Sequence, residues 1–80
     1  MTIQVLGPGC KRCAALHQNT VAAAAQLGLD TPVEQIHDYA EMARLGIMST
    51  PALAVDGRVL MAGNVPSVDQ VRELLAGATA

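Results

Sequence analysis

The sequence has no Phe and no Trp, and Tyr39 is the lone aromatic among its 80 residues. Any core must therefore be built from Val, Leu, Ile, Met and Ala, whose contacts each bury less area than an aromatic ring does. Basic residues are also few. Five Lys and Arg stand against seven Asp and Glu, for a net charge of −2, which excludes a basic face large enough to bind nucleic acid. Long hydrophobic runs are missing: the longest is about five residues, against the roughly 20 needed to cross a bilayer. The opening Met1-Thr2-Ile3-Gln4-Val5 has no basic patch, extended apolar stretch or cleavage motif, so it does not read as a secretory signal and a cytoplasmic address is expected. The chain is too short for a second core, and residues 1–80 are expected to form a single domain. Being 51% apolar and only 15% charged, it falls among globular rather than disordered chains.

Cysteine is scarce too: Cys10 and Cys13 are the only two. A disulfide closing so short a loop would add roughly 2 kcal/mol in the chain-entropy model, against about 3 for a 15-residue loop, and it would tie together nothing distant. Two thiols this close in a reducing compartment point to reversible redox chemistry or to metal binding.

Along the chain, Thr2–Leu6 alternates and is β-branched, as a strand does. Gly7-Pro8-Gly9 breaks it. From Lys11 to Leu27 there is no Gly or Pro, and Cys13, Leu16, Thr20, Ala23 and Leu27 recur at helical spacing, a stripe for burial. Gly28 stops this helix. Pro32–His37 reads as a second strand. Asp38 with Glu41 reads as a capping box opening a short helix that Gly46 ends. After the loop 47–50 and Pro51, Ala52–Val55 reads as a buried strand. Asp56-Gly57 is a strong hairpin signal, returning the chain into Arg58–Ala62. Ser67 with Gln70 forms another capping box, and the last helix carries Val68, Val71, Leu74 and Leu75 on one face. The tail from Gly77 is expected to fray. The order β-α-β-α-β-β-α, with a right-handed first crossover, predicts an α/β fold: a four-stranded mixed sheet flanked by helices.

Gly7-Pro8-Gly9-Cys10-Lys11-Arg12-Cys13 falls where strand gives way to helix. Unpaired N–H groups and the helix dipole favour an anion there. Lys11 and Arg12 add two positive charges, so the Cys10 thiol is expected to ionise well below the range of an ordinary cysteine. Cys10 is then the attacking sulfur, and Cys13, one turn on and facing the sheet, the sulfur that resolves a mixed disulfide.

Together with Ser49-Thr50-Pro51 ahead of the hairpin, these residues resemble the thioredoxin and glutaredoxin superfamily, in particular its very short archaeal and bacterial redox-active disulfide proteins. The resemblance covers nearly the whole chain and implies the thioredoxin-like fold. It implies protein disulfide reduction through Cys10 and Cys13, a cis-proline at Pro51 packed against the dithiol, and Thr50 offering its backbone to an extended substrate. Gly9, Lys11, Arg12 and Gly63 are placed with Thr50 and Pro51 around that substrate. No bound cofactor is required. The implied partners are disulfide-containing proteins and a thioredoxin-reductase-like reductase, and the implied state is a monomer. This chain departs from the commoner patterns. Gly9 stands where thioredoxins have Trp, Lys11-Arg12 replaces Gly-Pro, and no buried acid is evident beside Cys13. Gly63-Asn64-Val65-Pro66-Ser67, with Asp69 beyond it, replaces the Gly-Gly and acidic pair with which glutaredoxins hold glutathione. Protein dithiol exchange is therefore expected over a glutathione route.

The rival is a metallochaperone holding Cu(I) or zinc on the same two thiolates. Such domains usually end in a strand, whereas this chain ends in a capped helix. His17 could add a third ligand, but three ligands do not make a structural zinc site, and His17 reads as a solvated residue on the exposed helix face. His37 reads as a loop or cap residue, Tyr39 as a packing residue, and Met48 and Met61 as core filler or, if they face the dithiol, as an adaptable docking surface.

Overall fold

The computed structural model describes residues 2–9 and 11–79. Seven elements follow one another in the predicted order: β1 (Ile3–Leu6), α1 (Lys11–Gln26), β2 (Val33–Ile36), α2 (Tyr39–Arg44), β3 (Ala52–Val55), β4 (Arg58–Ala62) and α3 (Val68–Thr79). The strands form one mixed sheet in the order β2-β1-β3-β4. β1 runs parallel to β2, as a crossover through α1 requires, and antiparallel to β3.

Local chemistry sets the boundaries. Gly28 ends α1 at a φ of 70°, with its N–H donating to the Ala25 carbonyl and the Leu29 N–H to the Ala24 carbonyl. Gly46 ends α2 with the same pair of bonds, to Ala43 and, from Ile47, to Met42. A left-handed residue at these positions satisfies carbonyls that the helix leaves unpaired. The β3–β4 turn places Asp56 at φ 52° and Gly57 at φ 79°, the two positive values that a two-residue hairpin turn demands. Ser67 and Gln70 bond reciprocally at the start of α3, as a capping box should.

Both α2 and α3 depart from expectation. In α2, Asp38 caps the helix through the Ala40 N–H, but Glu41 turns away from the cap to bond Arg44. The guanidinium is a charged, bidentate donor and outcompetes one backbone N–H. α3 runs past Gly77, where the tail was expected to begin, and continues to Thr79, with Ala78 packed against the core.

The helices cover both faces of the sheet. On one face Leu16 and Ala23 of α1 and Val71 and Leu75 of α3 pack with Ile3, Val5, Leu53 and Val55. On the other, Met42 of α2 packs with Leu6, Ala52 and Ala54. The stripe foreseen on α1 is buried from Cys13 to Ala23, and Leu27 packs at its margin. Tyr39 is not a packing residue: it is 68% exposed, because α2 turns Met42 rather than its first residue toward the sheet.

Candidate active site

Strand register builds the site. Leu6 lies opposite Ala52, and Ala52 opposite Ala62. One step further along each strand brings Gly7, Pro51 and Gly63 into a row at one end of the sheet. Hydrogen bonds fix the row, from the Gly7 N–H to the Ile36 carbonyl at 2.9 Å and from the Gly63 N–H to the Pro51 carbonyl at 2.9 Å. The Thr50–Pro51 peptide bond is cis. Pro51 is buried and Thr50 half-buried.

Cys13 meets this row from above, in the first turn of α1. It is 5% exposed, and its sulfur lies so close over Gly7 that a methyl group there would overlap it. The same position is 3.7 Å from the Pro51 Cα. Gly7 thus has the Cys13 sulfur and the Pro51 backbone both as neighbours. Cys10 lies outside the described residues; α1 begins at the next residue, Lys11, which is exposed.

Of the remaining predicted residues, Arg12 reaches across from α1, its Nη2 donating to the Gly63 carbonyl at 2.8 Å. Gly9 is exposed, at φ 87°, with the His37 ring 3.6 Å from where its Cβ would stand. His37, expected only as a loop or cap residue, is therefore next to Gly9, the residue before Cys10 in the sequence. Cys13, Gly9, Arg12, Thr50, Pro51 and Gly63 cluster at this end of the sheet. Met48 is 97% exposed, two residues before Thr50, so it is not core filler; Met61 does pack against the core.

Gly7 and the His37 contact were not anticipated. A small residue between a strand end and a Cys-x-x-Cys is the signal that would have pointed to Gly7. The His37 contact depends on the parallel β1–β2 pairing, which brings the ends of two strands 30 residues apart in sequence side by side.

Further observations bear on chemistry. His17 is half-buried rather than solvated, with its Nε2 3.3 Å from the Val33 carbonyl. Among the described residues no group of three or more His, Cys, Asp and Glu could hold a metal ion. The resolved charge perturbation lies away from the row. The Arg44 bond holds the Glu41 carboxyl below its usual range, and Glu41 raises Arg44 in turn. No helix among the described residues is long and apolar enough to cross a membrane.

A mixed sheet in this order, flanked by helices, with a buried cysteine in the first helical turn over the glycine that follows β1, defines a thioredoxin-like protein. Residues 1–76 match the thioredoxin domain family, and the chain belongs to it. It is similar to a thioredoxin of Methanothermobacter thermautotrophicus, 34% identical over 76 residues, covering 95% of this chain and 99% of that protein. A thioredoxin of Methanocaldococcus jannaschii is 31% identical over 75 residues, covering 94% of this chain and 86% of that one. Thiol–disulfide oxidoreduction is the general function this membership supports.

Proposed function

We propose that this single-domain chain is a cytoplasmic, monomeric reductase of protein disulfides that works through Cys10 and Cys13. The observation that carries the reading is the Cys13 sulfur packed over Gly7 beside Pro51. A buried thiol in that position resists outside reagents and is suited to act second. Cys10, immediately before the helix, is suited to act first, because the amides and dipole of α1 and the charge of Lys11 favour its thiolate.

The steps balance. The Cys10 thiolate attacks one sulfur of a substrate disulfide, whose S–S bond breaks, and the departing thiolate takes a proton from solvent. Cys13 gives up its proton and attacks the Cys10 sulfur. The mixed disulfide breaks and releases the second substrate thiol, which leaves a Cys10–Cys13 disulfide. An external reductase of the thioredoxin-reductase type then returns two electrons and two protons. No resident cofactor takes part. Thr50 offers backbone groups to the substrate as an added strand would, and Gly9, Lys11, Arg12, Pro51 and Gly63 frame it. The segment Gly63–Ser67 lacks the acidic pair of a glutathione site, which favours protein substrates.

Insulin reduction driven by dithiothreitol tests the activity, with Cys13→Ser expected to trap a mixed disulfide through Cys10. Alkylation of Cys10 followed against pH should show a midpoint below that of an ordinary cysteine. Tight Cu(I) binding without insulin reduction would replace this reading with a metallochaperone.

A further inference from the structure

Gly63 is held through both of its backbone polar groups. Its N–H donates to the Pro51 carbonyl and its carbonyl accepts from Arg12. Its backbone is left-handed at φ 85°, and a Cβ there would press on Ser49, 3.1 Å away. The turn leaving β4 is thus clamped between the Pro51 loop and the start of α1. A guanidinium is long and planar enough to span that gap, and it donates directionally, where an ammonium acts as a point charge.

We propose that Arg12 is a positioning residue for protein substrates. It latches the β4–α3 turn onto the first turn of α1, so that the surface beside the cysteines keeps one shape, and it does not act only as a second cation for the thiolate. The inference rests on the dithiol-exchange reading and adds to it which contact shapes the substrate platform. A substrate that spans Thr50 and Gly63 feels the latch, whereas a small disulfide that touches only the sulfurs does not.

The test pairs Arg12→Ala with Arg12→Lys, which keeps the charge, and reads the carbonyl resonance of Gly63 and the amide nitrogen of Asn64 beside insulin-reduction kinetics. In Arg12→Ala both resonances should move, and KM for insulin should rise about threefold to tenfold, the net scale of one ordinary hydrogen bond, with kcat changing less. A small aromatic disulfide should show no matching rise. In Arg12→Lys the alkylation midpoint of Cys10 should stay where it is, while KM rises in step with displacement of the Gly63 resonance. A wild-type KM in Arg12→Ala, or a wild-type KM in Arg12→Lys with displaced Gly63 resonances, would overturn the proposal. Failure of the unmodified protein to reduce insulin would instead overturn the reading beneath it.

Discussion

A methyl group on Gly7 would meet the Cys13 sulfur and, behind it, the Cys13 Cβ at 3.6 Å and the Pro51 Cα at 3.7 Å. Gly7 is not among the glycines with positive φ, so its constraint is space rather than backbone conformation. Gly28 is the reverse case, with open space around it but φ at 70°. Gly7→Ala should therefore cost about 1–3 kcal/mol through overpacking, measured by urea denaturation, and should slow insulin reduction because the resolving sulfur is pushed off its seat. Gly28→Ala should cost a comparable amount but leave the reduction rate alone; equal rates for the two variants would mean that the Cys13 seat is not under such constraint. The pair also marks what was legible at this scale. Gly28 follows a helical run and could be read as a stop. Gly7 could be read only as a break, because Cys13 and Pro51 come to it through tertiary pairing. Arg12 likewise could be read as a charge but not as a bond to a carbonyl 51 residues away.

At the scale of elements, all seven were legible, because each carries its own punctuation: Gly after α1 and α2, Asp-Gly between β3 and β4, and Ser with Gln at the start of α3. What could not be read were outcomes decided by competition. A mid-helix Gly costs about 1 kcal/mol relative to Ala, yet α3 runs through Gly77 because Ala78 gains contact with the core. Glu41 had two candidate partners and takes Arg44. That choice has a pH signature. The Glu41 carboxyl is depressed first by its side-chain hydrogen bond with Arg44. A group depressed in the folded state adds stability above its unfolded pKa and loses that contribution as pH falls through the folded value. Arg44 stays charged throughout. Amide exchange of Met42 to Leu45 should therefore accelerate relative to α1 as pH falls from neutrality to about 3, beyond the chemical effect on exchange itself, and the acceleration should be smaller in Glu41→Gln. An equal acid response in both would show that the exposed pair contributes nothing.

At the scale of the whole molecule, the order of elements followed from the sequence, but the β1–β3 pairing did not, since strands about 50 residues apart carry no local mark of their register. That pairing aligns Leu6 with Ala52 and so brings Gly7 to Pro51. The same strands carry the core, and the core has no aromatic ring to spare. Leu53 is fully buried, paired with Val5 on one side and Met61 on the other, and packed with Leu16, Val71 and Leu75. For 80 residues the whole stability is about 4–12 kcal/mol, while a buried Leu→Ala change costs about 2–5 kcal/mol. Small aliphatic neighbours already at close range cannot collapse far into the space left behind. Leu53→Ala should therefore lower the melting temperature by about 10 °C or more. Because Leu53 lies two residues from Pro51 on the same strand, loosening β3 should also loosen the seat of Cys13. Alkylation of that thiol in the native protein, which its burial should keep slow in the wild type, should accelerate well below the new melting temperature. If the melting temperature falls and Cys13 stays protected until global unfolding, the row at the sheet end is held by its own hydrogen bonds and the core beneath serves it only as a floor.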